Sequence, residues 1–122
     1  MKLALITDLH ANREAVESVM AHALAQGAQR HAFLGDLVGY GADPGWVVDR
    51  VREQVERGAI AVMGNHDRAV AKGPSSTMTA PAREAVAWTR GRLSEGQLAF
   101  LDALPMAVTD ADRRLVDEAL GR

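Results

Sequence analysis

Short apolar runs alternate with longer segments whose apolar residues recur at helical spacing through the first half of the chain. The strand-length runs are residues 2–7, 31–34 and 59–63. The helical segments between them carry apolar stripes made of Val16, Val19, Met20, Ala23 and Leu24, and of Val47, Val48, Val51 and Val55. This β-α-β-α-β order predicts an α/β fold with three parallel strands and helices packed on the sheet.

Capping residues set the ends of these two helices. Asn12 is suited to cap the first helix, and Gly27 is suited to end it. Asp43 followed by Pro44 is typical of a helix start, and Gly58 ends the second helix.

Helices are also predicted after the third strand. A short loop at residues 73–76 leads to a helix that begins near Thr79 and carries Ala82, Ala85, Val86 and Trp88. Ser94 and Gln97 then form a capping box, with Leu98, Leu101 and Leu104 facing inward and Pro105 ending that helix. The tail from Thr109 onward reads as another capped helix, whose apolar face holds Leu115, Val116, Ala119 and Leu120.

Polar clusters follow directly after each of the three predicted strands. Asp8 and His10 follow the first, Asp36 follows the second, and residues 64–67 follow the third. Parallel strands place their carboxyl ends at one edge of the sheet, and open α/β sheets bind ligands at that edge. We therefore expect these clusters, which are far apart in sequence, to meet in space.

The residue types in the clusters indicate a metal centre. Carboxylate, imidazole and carboxamide groups without any thiol suit Mn²⁺, Fe, Mg²⁺, Ni²⁺ or Zn²⁺. In an extended segment Asp8 and His10 would point to the same side and could share one ion. The two oxygens of Asp36 could bridge two ions, and Gly35 and Gly64 would let the backbone come close to the site.

Taken together, the motifs resemble those of the calcineurin-like metallophosphoesterase superfamily. Residues 8–10 match its DxH motif, residues 35–41 match its GD motif with a nearby aromatic and glycine, and residues 64–67 read GNHD. The likeness covers roughly residues 1–105. The sequence of residues 35–44, GDLVGYGADP, is most similar to that of small bacterial phosphodiesterases, some of them diadenosine-tetraphosphatase-like. It implies the N-terminal half of that fold.

The resemblance also implies a role for each matched residue. Asp8 and His10 would bind a first metal, Asp36 would bridge both metals, and Asn65 would bind the second. His66 would contact the phosphate and protonate the leaving oxygen, while Asp67 would orient His66. The implied reaction is hydrolysis of a phosphomonoester or phosphodiester by metal-activated water, with two divalent ions and manganese as the first choice.

One part of the family pattern is missing from this sequence. Family members continue with histidine motifs that supply further metal ligands, but no histidine follows His66 here, and a strand expected near residues 114–116 leads into Asp117 instead. Residues 1–122 are therefore interpreted as one truncated domain whose second metal keeps only Asp36 and Asn65. The alternative function is a weakly catalytic or inactive binding or assembly module, completed by dimerisation.

A remoter alternative is a receiver-like signalling domain with Asp8 and Asp36 in an acidic pocket, which leaves His10 and residues 64–67 without a role. Several other residues have two interpretations. Asn12 either caps a helix or contacts phosphate, and Tyr40 is favoured as a packing residue over one that lines the site. Trp46 and Trp88 are expected to pack, His22 to lie on the surface, and His31 to be structural.

Length, composition and charge restrict the remaining possibilities. The chain has 122 residues, of which 48% are hydrophobic and 25% charged, as in ordinary globular domains. It has no cysteine, which excludes disulfides and thiolate metal sites. A net charge of −2 argues against bulk nucleic-acid binding, and no apolar run has membrane-spanning or signal-peptide length. The expectation is a cytoplasmic protein with a phosphate-ester substrate.

Overall fold

A computed structural model of the protein describes residues 2–110 and 113–117. The predicted alternation of strands and helices is present in its first half, and helices and a hairpin follow. The elements are β1 (Lys2–Ile6), α1 (Arg13–Ala25), β2 (Ala28–Phe33), α2 (Pro44–Glu56), β3 (Ile60–Ala61), α3 (Asn65–Lys72), α4 (Ala80–Arg92), α5 (Glu95–Asp102), β4 (Ala107–Asp110) and β5 (Arg113–Val116).

The first three strands form a parallel sheet in the order β1-β2-β3, which confirms the predicted α/β fold. Phe33 of β2 pairs with both Ile6 and Ala61, the last residues of the neighbouring strands. Backbone bonds continue one residue further, because Leu34 N donates to Ile6 O at 2.7 Å and Val62 N donates to Phe33 O at 2.9 Å. All three strands therefore end in register, and the loops that follow them start at one edge.

The apolar core is narrower than the sequence pattern suggests. Val47, Val48 and Val51 of α2 are fully buried, as predicted, with Val16 of α1 nearly so. In the first predicted stripe, Val19 is 40% exposed and Leu24 is 74% exposed, so these two predictions are wrong. Helix α1 packs against β2 and α2 through only part of its circumference, and that contact leaves the edge of a wide apolar stripe in solvent.

The structure adds a helix that the sequence pattern did not indicate. Helix α3 begins at Asn65, immediately after β3, and packs against α4 and α5. The two predicted helices beyond it are present. Thr79 accepts a hydrogen bond from Ala82 N at 3.3 Å, and Ser94 and Gln97 make both bonds of the predicted capping box, at 3.1 and 2.8 Å.

The predicted C-terminal helix is wrong over the residues that the structure describes. Strands β4 and β5 instead form an antiparallel hairpin, which buries Leu115 and leaves Arg113 and Arg114 exposed. The hairpin is joined to β2 by Arg30, whose guanidinium lies 3.1 Å from the carboxylate of Asp110. Over so short a run, Leu115 and Val116 fit both helical and strand periodicity, so tertiary contacts decide which of the two structures forms. The predicted apolar residues Ala119 and Leu120 lie outside the described residues.

Four residues were predicted to lie on the surface, to be structural or to pack, and the structure agrees for all of them except Trp88. His22 is exposed, and His31 is partly buried with its ring stacked on Phe33 at 6.2 Å. Trp46 packs against the core, whereas Trp88 is 44% exposed and lies under the guanidinium of Arg92. Over residues 2–110 and 113–117, no helix has the length and hydropathy needed to cross a membrane.

The different burial of two leucines gives a test of this packing. Leu101 is fully buried, so Leu101→Ala should lower the free energy of unfolding by about 2–5 kcal/mol through lost contacts and a cavity. Leu24→Ala makes the same change at an exposed position and should alter it by less than about 0.5 kcal/mol. Urea unfolding followed by circular dichroism measures both values, and equal losses would contradict this packing.

Candidate active site

The loops after β1 and β2 are joined by backbone hydrogen bonds at the end of the sheet. Asp8 N donates to Gly35 O at 3.3 Å, His10 N to Asp36 O at 2.9 Å, and Ala11 N to Leu37 O at 2.8 Å. These bonds continue the pairing of β1 and β2 beyond the strands themselves. The first two predicted clusters therefore share one backbone framework.

Both loops contain strained backbone. Among the described residues, five that are not glycine have positive φ, and all five lie on these loops: Asp8, His10, Ala11, Asp36 and Tyr40. Left-handed conformations cost free energy for residues with a Cβ, and such strain concentrates at functional sites. The strain at Asp8, His10 and Asp36 is therefore consistent with a functional site, in which the direction of the side chains is maintained at a cost in backbone conformational energy.

The side chains of Asp8, His10 and Asp36 come together as a potential metal-binding group. One ligand atom from each lies within 4.8 Å of the others, and His10 Nε2 is 3.7 Å from Asp8 Oδ1. Asp36 is 7% exposed, whereas Asp8 is exposed to solvent. The predicted extended segment is wrong, because φ is 56° at Asp8 and 46° at His10; the left-handed turn brings the two side chains together instead.

Asn65 joins the same cluster from the first residue of α3. Its carboxamide has one atom 3.1 and 3.2 Å from the two carboxylate oxygens of Asp36. With nitrogen at that position, the amide donates to both oxygens. With oxygen there, three oxygens face one another, and a divalent cation between them would satisfy all three. The structure thus brings together all four predicted metal-ligating residues.

Two glycines allow this close approach. Gly35 has a φ of +99°, and a Cβ at this residue would lie 2.8 Å from Gly64 Cα. A Cβ on Gly64 would overlap Asp36 N and Oδ1. The prediction that these glycines let backbone approach the site is therefore confirmed, by positive φ at Gly35 and by lack of space at Gly64.

His66 lies beside this cluster within a group of three rings. Its ring centroid is 5.1 Å from that of His10 and 4.9 Å from that of Tyr40, and the His10 and Tyr40 rings are 5.6 Å apart. Burial lowers the pKa of His66, while the carboxylate of Asp36 acts in the opposite direction. Tyr40 is 60% exposed, so the favoured prediction of a packing role is wrong and the residue lines the site.

Asp67 makes different contacts from those the sequence predicted. It is fully buried; Oδ1 accepts from Leu37 N at 2.9 Å and Val38 N at 3.2 Å, and Oδ2 accepts from Gly64 N at 2.9 Å. His66 Nδ1 has no hydrogen-bond partner among the described residues. The expected contact from Asp67 to His66 is therefore not present, because both carboxylate oxygens bind backbone instead.

Burial also changes the ionisation of Asp67. Complete desolvation raises its pKa to about 7, although the three backbone N–H groups oppose this. A buried carboxyl that accepts from two separate loops holds the loop after β2 against the start of α3. Its effect on the site is thus one of positioning.

Two further residues were treated differently by the sequence analysis: Asn12 was considered as a site residue, and Asp117 was not. The Asn12 side chain accepts from Ala15 N at 3.0 Å, which favours the helix-cap interpretation over phosphate contact. Asp117 is 6% exposed and interacts electrostatically with Asp36 and His66, yet the sequence interpretation gave it no role. Its signal was available, because Asp117 directly follows the strand that the family pattern predicts near residues 114–116.

A cavity of about 700 Å³ opens beside His66. Tyr40, Asn65 and His66 line it, together with the exposed Arg68 and Lys72 of α3. Lys72 is paired with Asp102 of α5. Residues 73–75 of the loop and residues 77–79 and Ala82 at the start of α4 also line it. The cavity is therefore adjacent to the potential metal ligands and has positive charge along one side.

The fold and this constellation define a metallophosphoesterase type of protein. Residues 1–112 match the family model of the calcineurin-like phosphoesterases. The chain belongs to the calcineurin-like phosphoesterase family.

Individual proteins resemble this chain in sequence and in fold. The chain is 33% identical over 109 residues to an uncharacterised protein of Methanocaldococcus jannaschii, a match covering 88% of this chain and 44% of that protein. It is 36% identical to a metallophosphoesterase from Sphaerobacter thermophilus, with a TM-score of 0.77 over 93% of this chain and 45% of that one. The chain thus spans about half the length of these relatives.

A third structure shows the same fold at lower identity. A protein described provisionally as a diadenosine tetraphosphatase superposes with a TM-score of 0.71 at 23% identity, covering 93% of this chain and 48% of that one. This likeness concerns the fold. It agrees with the resemblance that the three sequence motifs imply.

The raised pKa of Asp67 predicts a pH dependence of stability. The value is about 7 in the folded protein and about 3.9 in an unfolded chain, so the folded state binds more protons between these values. In metal-free protein, this contribution to stability should be fully present below pH 4 and should be lost as the pH rises through 7.

Asp67→Asn should remove this pH-dependent contribution. Asp43→Asn serves as the control, because its side chain makes no cap hydrogen bond at the start of α2. Urea unfolding at several pH values in chelator measures the difference. A wild-type slope that persists unchanged in Asp67→Asn would contradict the assigned environment.

Proposed function

We propose that the protein is a metal-dependent phosphoesterase that hydrolyses a phosphomonoester or phosphodiester. The observation that carries the proposal is the convergence of Asp8, His10 and Asp36, whose ligand atoms lie within 4.8 Å of one another. Family membership supports the reaction class. Because the chain spans about half of its relatives, the activity of this chain is itself part of the proposal.

The donor set fits divalent metal ions. Asp8, His10 and Asp36 would hold one ion, and Asp36 and Asn65 would contribute to a second. Oxygen and imidazole donors are compatible with Mn²⁺, which is our first choice, and with Fe, Ni²⁺, Zn²⁺ or Mg²⁺. When bound, such ions supply an activated water and neutralise charge on the phosphoryl oxygens.

His66 is proposed as the residue that contacts the phosphate. Burial lowers its pKa in the metal-free protein, which favours a neutral imidazole with one N–H group to donate. An anionic phosphate close by would raise that pKa and favour the imidazolium form, which can give its proton to the leaving oxygen and become neutral again. Asp67 is proposed to assist indirectly, by holding the Asp36 loop and the start of α3 in place.

The adjoining cavity is proposed to hold the rest of the substrate. His66, Asn65 and Arg68 all line it, and the guanidinium of Arg68 would favour an anionic substrate. A dinucleoside polyphosphate is one substrate of this type, and the relative described provisionally as a diadenosine tetraphosphatase suggests testing it. A cytoplasmic location and a homo-oligomeric state stay predictions from the sequence.

A second candidate function is a binding or assembly module with weak catalysis. Leu5 of the edge strand β1 is 59% exposed, and Val19 of α1 lies exposed near it along a shallow groove. An apolar edge of this kind favours association. The metal-uptake and hydrolysis experiment below separates the two candidates.

Asp36→Asn should abolish metal-dependent hydrolysis and weaken metal uptake, because it removes a charged ligand shared by both halves of the site. Hydrolysis of an aryl phosphodiester with added Mn²⁺, together with metal stoichiometry, measures both effects. Asp49→Asn, on the exposed surface of α2, is the matched control. Equal metal uptake by wild type and Asp36→Asn would refute the site. Metal uptake by a wild type that hydrolyses nothing would favour the binding module.

His66→Ala should leave metal uptake intact and slow turnover by roughly 10²–10⁴-fold, as expected on removing a positioned acid. His22→Ala is the matched control, since His22 is exposed on α1. Steady-state kinetics with the same aryl ester would measure the effect. Unchanged turnover in His66→Ala would exclude a direct role for this imidazole.

A further inference from the structure

The second half of the proposed metal site has few ligands among the residues that the sequence identified. Asp8 and His10 belong with Asp36 on one side, which leaves Asp36 and Asn65 on the other. An ion held by two protein ligands and water binds weakly. A further donor on this side would change what the site can retain.

Asp117 lies on this side of the site. It directly follows β5, and its side chain is almost fully buried at 6% exposure. A Cβ built on Gly35 would lie 2.9 Å from Asp117 Oδ2 and 2.8 Å from Gly64 Cα. The carboxylate therefore lies beside Gly35, which precedes Asp36, in the space where Gly35 also approaches Gly64, the residue before Asn65.

The position also brings negative charges together in a buried region. Asp36 is 7% exposed and Asp117 is 6% exposed, and the two carboxyl groups interact electrostatically. Two buried carboxylates repel each other unless one is protonated or a cation lies near both. A divalent cation would turn this repulsion into a favourable interaction.

We propose that Asp117 is a carboxylate ligand of the second metal ion, together with Asp36 and Asn65. This inference rests on the proposed function, since it concerns a metal that the family match and the Asp8–His10–Asp36 group imply. The resulting set of two carboxylates and one carboxamide consists of oxygen donors. It favours a hard divalent ion such as Mn²⁺ or Mg²⁺ at this position.

The hairpin thereby acquires a role in the site. Strands β4 and β5 carry Asp117, and the ion pair between Arg30 and Asp110 joins the hairpin to β2. Metal bound by Asp117 would tie the hairpin to the loops after β2 and β3. Occupation of the second position should therefore also stabilise the hairpin against unfolding.

Manganese titration of the full chain tests this proposal. Isothermal titration calorimetry and the electron paramagnetic resonance signal of free Mn²⁺ count the ions bound and give their affinities. Wild type should bind two ions. Asp117→Asn should retain the first ion and bind the second at least about tenfold more weakly, since even indirect partners of metal ligands cost 10–100-fold. Asp49→Asn makes the same charge change on the exposed surface of α2, away from the site, and should retain both ions.

Replacing the Asp117 carboxylate with a different metal ligand tests the proposal even if loss of the negative charge in Asp117→Asn disturbs the hairpin. Asp117→His should restore a second ion and shift its preference from Mn²⁺ toward Ni²⁺ or Zn²⁺, because imidazole suits those metals better. A purely structural carboxylate would not produce that shift. Circular dichroism of each variant confirms that the chain is folded.

The outcomes separate this inference from the proposed function. Wild type that binds no Mn²⁺ would overturn both. Wild type that binds one ion, lost in Asp36→Asn, would support the metal site and overturn the role of Asp117. Two ions with unchanged affinities in Asp117→Asn would overturn that role as well. Selective weakening of the second ion, with the metal shift in Asp117→His, would support it.

Discussion

The buried carboxyl of Asp67 is the contact on which the candidate site depends. It accepts hydrogen bonds from Leu37 and Val38 on one loop and from Gly64 on another, and it is fully shielded from solvent. These bonds hold the loop that carries Asp36 against the start of α3, where Asn65 and His66 begin the helix. A second carboxyl group adds to this junction, because His66 N donates to Asp36 Oδ1 at 3.0 Å.

Several features of this junction lower the folding stability of the metal-free chain. The pKa of Asp67 is raised to about 7 by burial, Asp36 is buried next to a second carboxylate, and the loops hold several residues with positive φ. Each of these features costs free energy in the metal-free chain. A divalent cation would offset the charge repulsion. The rest of the core, centred on the valines of α2 and on Leu101, supplies the stability that makes such a site tolerable.

Sequence patterns predicted the sheet and most helices because those elements depend on local order and binary pattern. Strand ends followed by polar clusters predicted the meeting of Asp8, His10, Asp36 and Asn65, since parallel strands must end together. The same reasoning failed for Asp67 and Tyr40. Their roles depend on which backbone groups and rings lie opposite, and no period in the sequence encodes that. Helix α3 was missed because its eight residues carry few apolar positions.

The sequence by itself determined the family, the order of the first elements and the identity of the metal-capable side chains, because motif spacing and hydrophobic period are properties of the chain. Tertiary structure decided the rest. It made the tail a hairpin through antiparallel pairing and the Arg30–Asp110 ion pair, and it left Leu24 in solvent. It also placed Asp117 beside Gly35, far from it in sequence. Such contacts arise between distant segments, so their partners become defined only when the chain has folded.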